Sequence, residues 1–201
     1  MKKHILSLLL VLIMVFSIPV TADAASAKSS VNKSVKNFLS ASKTFNTTKM
    51  NKYIYRKNDK FKKSEIKELP NVVKYAKKHN KKMSYKITST KVKGKNATVK
   101  IKVTYVNSRP VADEYIRIMF NDAFSGIDTG TTEYIDTTWG KASKKVTKLK
   151  TKTKTISINM IKDGKTWKIK KVKEDLTNII LADFGDAIES ATEDFVNDMN
   201  Q

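Results

Sequence analysis

Apolar and polar residues alternate through the segment 154–172, and the pattern predicts a β-hairpin. Residues 156–160 and 166–170 each place apolar side chains at every second position, so each run has one apolar face. Asp163-Gly164 lies between the runs and suits the two positive-φ positions of a type I′ turn. A lone hairpin is marginal in water, so the rest of the chain must cover the face that carries Trp167 and Ile169.

A second hairpin is predicted over residues 83–105. Its second strand is the clearest in the chain, because apolar and polar residues alternate there without a break. The apolar members are Ala97, Val99, Ile101, Val103 and Tyr105. A longer strand is predicted over 146–161. Its even positions carry lysines in the first half and apolar residues in the second, which indicates either a bulge or a strand that runs beyond the core.

Helical spacing of apolar residues occurs on both sides of these strands. Residues 31–39 present apolar side chains on one helix face, and shorter helices are predicted between 47 and 78. A further helix follows Pro110, whereas 128–140 is interpreted as a loop with at most a short helix. From 176 to 195 a single apolar face continues, with acidic residues opposite. The prediction is an α+β fold: N-terminal helices packed on a curved antiparallel sheet of two hairpins, plus a C-terminal amphipathic acidic helix.

The first 24 residues have the features of a secretory signal peptide. Two lysines and a histidine precede an apolar run of about 16 residues, and Ala22-Asp23-Ala24 offers a cleavage site, with cleavage after Ala27 as the alternative. The run is short for a membrane span, which needs roughly 20 residues. We therefore expect a signal peptide over 1–24, an α+β domain over 25–173 and the acidic helix over 174–201. The mature chain, with no transmembrane span, would be secreted or extracellular, and retained at the cell wall if it binds there.

Charge is divided sharply along the chain. The net charge is +21, yet from Glu174 onward there are eight acidic residues and no Lys or Arg, so 25–173 carries +28 and the tail −8. Almost all basic residues are lysines, which are hydrated point charges without the planar fork that Arg uses for bidentate recognition. The excess predicts attraction to polyanions, although an AT-rich genome would also raise the lysine count. No cysteine is present, so disulfides, thiolate metal sites and a lipoprotein anchor are excluded.

Four short motifs occur in an order that resembles a known family. They are NFLSA at 37–41, TTKMNKY at 47–53, ATV at 97–99 and DGKTWKI at 163–169. Over about residues 31–172 this order is similar to exported Gram-positive bacterial proteins of unknown function with the cystatin-like or nuclear-transport-factor-like fold. The resemblance implies helices lying in a curved antiparallel sheet and a cone-shaped pocket, but carries over no catalytic residue. The chain departs from that family by lacking a lipobox cysteine and by its added acidic C-terminal helix.

Catalytic and metal-binding residue types are scarce. His79 is the only histidine after the predicted signal peptide, and its position among lysines indicates a solvated residue. With one histidine and no cysteine, a nucleophilic triad or a zinc site is not expected. Asp113 and Glu114 are interpreted as helix-start residues that favour the helix dipole. We therefore expect no catalytic residue, no metal ligand and no cofactor, and a non-enzymatic role is favoured. Aromatic residues near the lysines are too few for specific nucleic-acid recognition.

Lysines are densest between residues 141 and 154. On a strand, alternate residues lie on one face about 6.6 Å apart, so the run from Lys148 to Lys154 is predicted to form one cationic row. Together with the three lysines before it, this row is the candidate surface for an anionic cell-wall polymer such as teichoic acid, or for nonspecific nucleic-acid binding. The alternative is a solvated edge strand that its lysines protect from aggregation. The candidate residues are Lys141, Lys144, Lys145, Lys148, Lys150, Lys152 and Lys154.

The acidic C-terminal helix has two alternative roles. It either docks within the molecule, where it covers exposed sheet and offsets part of the basic field, or it presents its apolar face to a protein partner or a second copy. A further hypothesis places a small ligand, or a reaction, in a pocket between helix and sheet, although no residue selects a reaction. These alternatives stay open at the level of the sequence.

Overall fold

Four antiparallel strands form a sheet in the order β1-β2-β3-β4, with helices packed on it. The structure is a computed structural model that describes residues 21–200, with side chains from residue 25. Residues 1–20 of the predicted signal peptide lie outside the described part. The strands are β1 Ser84–Lys93, β2 Asn96–Val106, β3 Thr151–Asp163 and β4 Thr166–Ile169. This architecture confirms the predicted α+β fold.

The helices occupy three stretches of the chain. Before the first hairpin lie α1 Thr21–Lys43, α2 Thr47–Asn51, a 3-10 turn Lys57–Asp59, α3 Lys63–Glu68 and α4 Pro70–Asn80. Between β2 and β3 lie α5 Arg109–Phe124 and α6 Thr132–Lys145, and after β4 come α7 Glu174–Ile180 and α8 Phe184–Met199. None of the helices in this described part is long and apolar enough to cross a membrane.

Both predicted hairpins form, and one turn is placed a residue later than expected. In the second hairpin Asp163 still pairs with Thr166 in the ladder, so the two turn residues are Gly164 and Lys165. Gly164 has φ +59°, and Asp163 is not among the positive-φ residues. The predicted Asp163-Gly164 turn centre is therefore wrong by one position. The physical reason is that a glycine at the first central position of a two-residue turn already supplies the positive φ that the tight connection needs.

The inner face of the sheet and one stripe of α1 form the core. Phe38 and Leu39 of α1, Ile101 of β2 and Ile169 of β4 are fully buried, and Trp167 is 3% exposed. This confirms that the apolar face of the hairpin is covered. The register between β2 and β3 runs without a shift from Asn96 opposite Ile161 to Val106 opposite Thr151, so the even positions of β3 face inward throughout. For β3, the sequence left open either a bulge or a strand that runs beyond the apolar core, and the structure shows the second. The irregular register lies in β1, between Ile87 and Ser89.

The segment predicted as a loop over 128–140 is mostly helical. Thr131 caps α6 by accepting a hydrogen bond from the Tyr134 backbone N–H at 3.1 Å, and Trp139 is fully buried. The sequence does not predict this helix because three threonines and Gly140, which are poor helix formers, interrupt its pattern. The helix ends only at Lys145, and β3 begins at Thr151, so the strand predicted from residue 146 is wrong in its first five positions.

The acidic C-terminal segment folds as two helices, although one continuous helix was expected. The chain breaks between α7 and α8, where Ala182 and Asp183 adopt left-handed φ values of 55° and 68°. The break is closed by hydrogen bonds from the Asp183 N–H to the Asn178 carbonyl oxygen (2.7 Å) and from the Ala182 N–H to the Ile179 carbonyl oxygen (3.2 Å). Such left-handed residues commonly end helices by satisfying their last carbonyl groups.

Candidate functional site

The seven candidate lysines lie in three different environments. Lys141, Lys144 and Lys145 belong to the last turns of α6, Lys148 and Lys150 lie in the connection to β3, and only Lys152 and Lys154 are on the strand. The cationic row predicted along one strand face is therefore not formed as predicted. The reason is that β3 begins only at Thr151, so Lys148 and Lys150 precede the strand.

The two strand lysines are neutralised within the molecule. Lys152 Nζ lies 2.6 Å from Asp183 Oδ1, and the Asp183 side chain is fully buried. Lys154 Nζ lies 2.7 Å from Asp175 and 3.4 Å from Asp186. The hydrogen bond that Lys154 donates to the Asp175 carboxylate raises the pKa of Lys154. These lysines complete the inner face of β3 and hold the acidic C-terminal segment against the body.

Lys145 is also paired. Its Nζ lies 2.9 Å from a Glu114 carboxylate oxygen that Arg117 contacts at 2.8 Å. Hydrogen bonds from Arg117 and then from Lys145 lower the pKa of Glu114 to about 2. Asp113 and Glu114 lie beyond the first turn of α5, which begins at Arg109, so the interpretation of both as helix-start residues is wrong.

Lys144 lines a basic groove between α4 and α6, which we call the α4–α6 groove. The groove has a volume of about 310 Å³. The residues that α4 contributes are at positions i, i+3, i+4 and i+7, which lie on one helix face. Those from 140 onward have the same spacing, although the last of them, Thr147, lies just beyond the end of α6. The lining residues are Asn71, Lys74, Tyr75 and Lys78 from α4, and Gly140, Ser143, Lys144 and Thr147 from α6 and its C-terminal end.

Three ammonium groups dominate the charge of this groove. Lys74, Lys78 and Lys144 are exposed, and no carboxylate is among the lining residues. Within residues 25–200 none of the three forms an ion pair. Lys141 is exposed one turn before Lys144 on α6. The groove therefore holds uncompensated positive charge, which distinguishes it from the paired lysines of β3.

Asp136 and Gly140 set the distance between the two helices. The buried Asp136 carboxylate of α6 accepts hydrogen bonds from the N-terminal backbone N–H groups of α4, at Asn71 (2.9 Å) and Val72 (3.0 Å), and from Asn71 Nδ2 (2.8 Å). It supplies the helix cap that α4 lacks locally, where Leu69 precedes Pro70. At Gly140 a Cβ atom would lie 2.8 Å from Asn71 Cγ, so only glycine allows this close approach.

The floor of the groove is formed by Tyr75, whose buried hydroxyl group is hydrogen-bonded. Tyr75 is 5% exposed, and its hydroxyl lies 2.7 Å from Ser108 Oγ. Ser108 Oγ donates to the Ala182 carbonyl oxygen at 2.6 Å, so the Tyr75 hydroxyl is the donor to Ser108. Burial raises the pKa of Tyr75 to about 12. Tyr75 is therefore a neutral structural anchor between the groove and the break before α8.

His79 is not the solvated residue that was expected. It is half-buried and packs on Tyr75, with ring centroids 4.3 Å apart. Burial, followed by the charges of Lys78 and Lys82, lowers the pKa of His79 to about 4. The imidazole is therefore neutral at neutral pH and adds no charge to the groove.

Sequence reasoning missed Lys74 and Lys78. The polar stripe of α4 was visible at helical spacing, but the residues that face it were not predicted to lie on one helix. Gly140 was placed in a loop and Thr147 in a strand. No group of three or more His, Cys, Asp or Glu residues within the described part of the chain is placed to hold a metal ion. Comparison of the chain with protein-family models, curated proteins and solved structures finds no match.

Proposed function

We propose that this chain is an exported, non-catalytic binding protein of the cell envelope that holds an anionic cell-wall polymer in the α4–α6 groove. The observation that carries the proposal is the set of three exposed lysines, Lys74, Lys78 and Lys144, around a groove that no carboxylate lines. The signal-peptide features of residues 1–24 support export.

The groove suits a flexible polymer of repeating phosphate or carboxylate groups. When lysines neutralise the charges of a polyanion, the counterions condensed on the polymer are released. This release supplies affinity without requiring a fixed ligand geometry. Lysine ammonium groups act as point charges and accept anions at varied spacing. Between them the Thr147 hydroxyl group and the second N–H of the Asn71 side-chain amide, whose first N–H bonds Asp136, offer hydrogen bonds to polymer oxygens. The lining contains no free carboxylate or histidine for acid–base chemistry, which favours binding over catalysis.

Two alternatives from the sequence stay predictions. Phe38, Met50 and Ile101 are among the large, fully buried side chains between the helices and the sheet, which does not favour a ligand pocket there. A protein-interaction role for the C-terminal helix is favoured by exposed apolar side chains at the ends of α5 and α8. These are Phe124 (81% exposed), Ile127 (49%), Val196 (44%) and Met199 (59%).

Retention on purified wall polymer at increasing salt tests the proposal. The groove variant carries Lys74→Gln, Lys78→Gln and Lys144→Gln, and the matched control carries Lys57→Gln, Lys63→Gln and Lys165→Gln, which removes the same charge from exposed positions elsewhere. Losing three phosphate contacts should reduce the slope of log K against log salt by about 2. The control should keep nearly the wild-type slope. Equal losses in both variants would show that net charge alone drives retention, and the groove would then have no special role.

A further inference from the structure

The outer face of the sheet carries a second set of uncompensated lysines, which we call the sheet lysines. Their side chains project from β1 and β2, on the side of the sheet opposite to the core. They are Lys86, Lys91, Lys93, Lys100 and Lys102, and all five are exposed. The strands contribute one carboxylate, Asp163 at the end of β3, and it pairs with Lys168 at 2.6 Å. The sheet lysines have no ion-pair partner among residues 25–200.

The arrangement of these lysines costs stability in the free protein. Lys86 of β1 stands directly opposite Lys102 of β2, and like charges at directly opposed positions of an antiparallel pair are destabilising. Lysines on an exposed edge strand protect it from aggregation, which accounts for Lys86 on the edge strand β1. It does not account for Lys100 and Lys102, because β2 lies between β1 and β3 and has no free edge. A bound polyanion would relieve this repulsion.

The rest of this outer face is rich in hydroxyl and amide groups. Lys100 stands opposite Ser157 of β3, and Lys102 stands opposite Thr155. Nearby, Thr104 Oγ1 and Thr153 Oγ1 lie 2.9 Å apart. The combination of ammonium groups with neutral hydrogen-bonding side chains, and without an unpaired carboxylate on the strands, repeats the chemistry of the α4–α6 groove on the outer face of the sheet.

We propose that the outer face of the sheet is a second polyanion-binding surface and that one molecule therefore bridges two anionic polymer chains. The α4–α6 groove is formed by helices of the layer that packs on the inner face, where α4 contacts β2, whereas the sheet lysines project from the other face. One polymer chain bound in the groove thus leaves the outer face free for another. This inference rests on the proposed function of the groove, and the stoichiometry below separates the two.

Calorimetric titration with short linear polyphosphate, too short to reach from one surface to the other, counts the sites at low salt. The wild type should bind two chains, and the groove variant should bind one. A sheet variant with Lys86→Gln, Lys100→Gln and Lys102→Gln should also bind one, and the control variant with substitutions at Lys57, Lys63 and Lys165 should bind two. With long-chain polyphosphate, light scattering should show cross-linked particles for the wild type and the control only.

Other outcomes decide which proposal fails. If the wild type binds one chain, the sheet variant one and the groove variant none, the outer face is not a site and the groove function stands. If the wild type binds one chain, the groove variant one and the sheet variant none, the groove assignment fails and bridging fails with it. Unchanged stoichiometry in the sheet variant also overturns bridging. The sheet variant should melt at the wild-type temperature or above it, because it loses the Lys86–Lys102 repulsion, so a folding defect is readily distinguished from lost binding.

Discussion

The buried ion pair between Lys152 and Asp183 joins β3 to the break between α7 and α8, and Lys152→Met should destabilise the protein strongly. Asp183 is fully buried, whereas 37% of the Lys152 side chain is exposed. The Asp183 carboxylate also accepts a hydrogen bond from the Ser108 backbone N–H at 3.0 Å. Methionine retains the length and the apolar stem of lysine, so the substitution removes mainly the charge that compensates Asp183.

The expected magnitude follows from this asymmetry of burial. Removing one partner of a buried pair costs about 3–5 kcal/mol, and we take about 3 kcal/mol because water reaches Lys152. For a chain of this size 1 kcal/mol shifts Tm by about 2–4 °C, so Tm should fall by roughly 6–12 °C. Asp183→Asn should cost less, about 1–2 kcal/mol, because the amide oxygen keeps the Ser108 contact, the lysine can reach water, and asparagine tolerates the left-handed φ. The double variant should lose less than the sum of the two.

Thermal melting followed by circular dichroism measures these values, with Lys150→Met as the matched control because Lys150 is exposed and loses the same charge. Burial raises the pKa of Asp183, and loss of the Lys152 charge raises it further. A carboxyl group with a raised pKa stabilises the fold most when it is protonated, so the deficit of Lys152→Met should shrink as pH falls towards 4. If Lys152→Met melts within about 2 °C of Lys150→Met at pH 7, the buried pair does not hold the C-terminal segment as argued.

Two further predictions concern the groove. Gly140→Ala should lower Tm and weaken polymer retention, because its Cβ would lie 2.8 Å from Asn71 Cγ and Asn71 is held by a hydrogen bond to Asp136. Overpacking costs about 1–3 kcal/mol, which outweighs the gain in helix propensity of about 1 kcal/mol. A Tm equal to or higher than that of Ser143→Ala would contradict this prediction. The wild type should lose stability as pH falls from about 6.5 to about 4, since the folded pKa of His79 is lowered to about 4 and the unfolded chain takes up the proton first. His79→Gln should flatten that part of the stability profile, and coincident profiles would show that the packing of His79 on Tyr75 does not depress its pKa.

Local patterns were sufficient to predict which faces of the two hairpins and of α1 are buried. The apolar residues of the alternating segments 97–105 and 156–160 face the core in the structure. Successive side chains of a strand point to opposite faces, whatever the tertiary environment. The stripe of Val31, Val35 and Phe38 is buried for the corresponding reason in a helix. These are properties of single elements, and a sequence expresses them directly.

The candidate site was predicted only in part, because contacts between distant residues build it. Lys144 was predicted, but its partners in the groove come from α4, and Asp136 caps that helix from 65 residues away. Lys152 and Lys154 were predicted to belong to a cationic row that binds a polyanion, although carboxylates of the C-terminal segment neutralise them. Charge counting along a chain cannot show which charges are paired, because pairing depends on where the fold places them.

The sequence by itself determined the apolar faces of the two hairpins and of α1, and the division of charge between body and tail, since these depend on side-chain type and spacing alone. Only the tertiary structure decided where the acidic segment breaks into two helices. At the break, Asp183 accepts a hydrogen bond from the backbone N–H of Ser108, 75 residues earlier in the chain. The tertiary structure also decided which lysines remain uncompensated, because an ammonium group is neutralised by the carboxylate nearest in space, wherever that carboxylate lies in the chain.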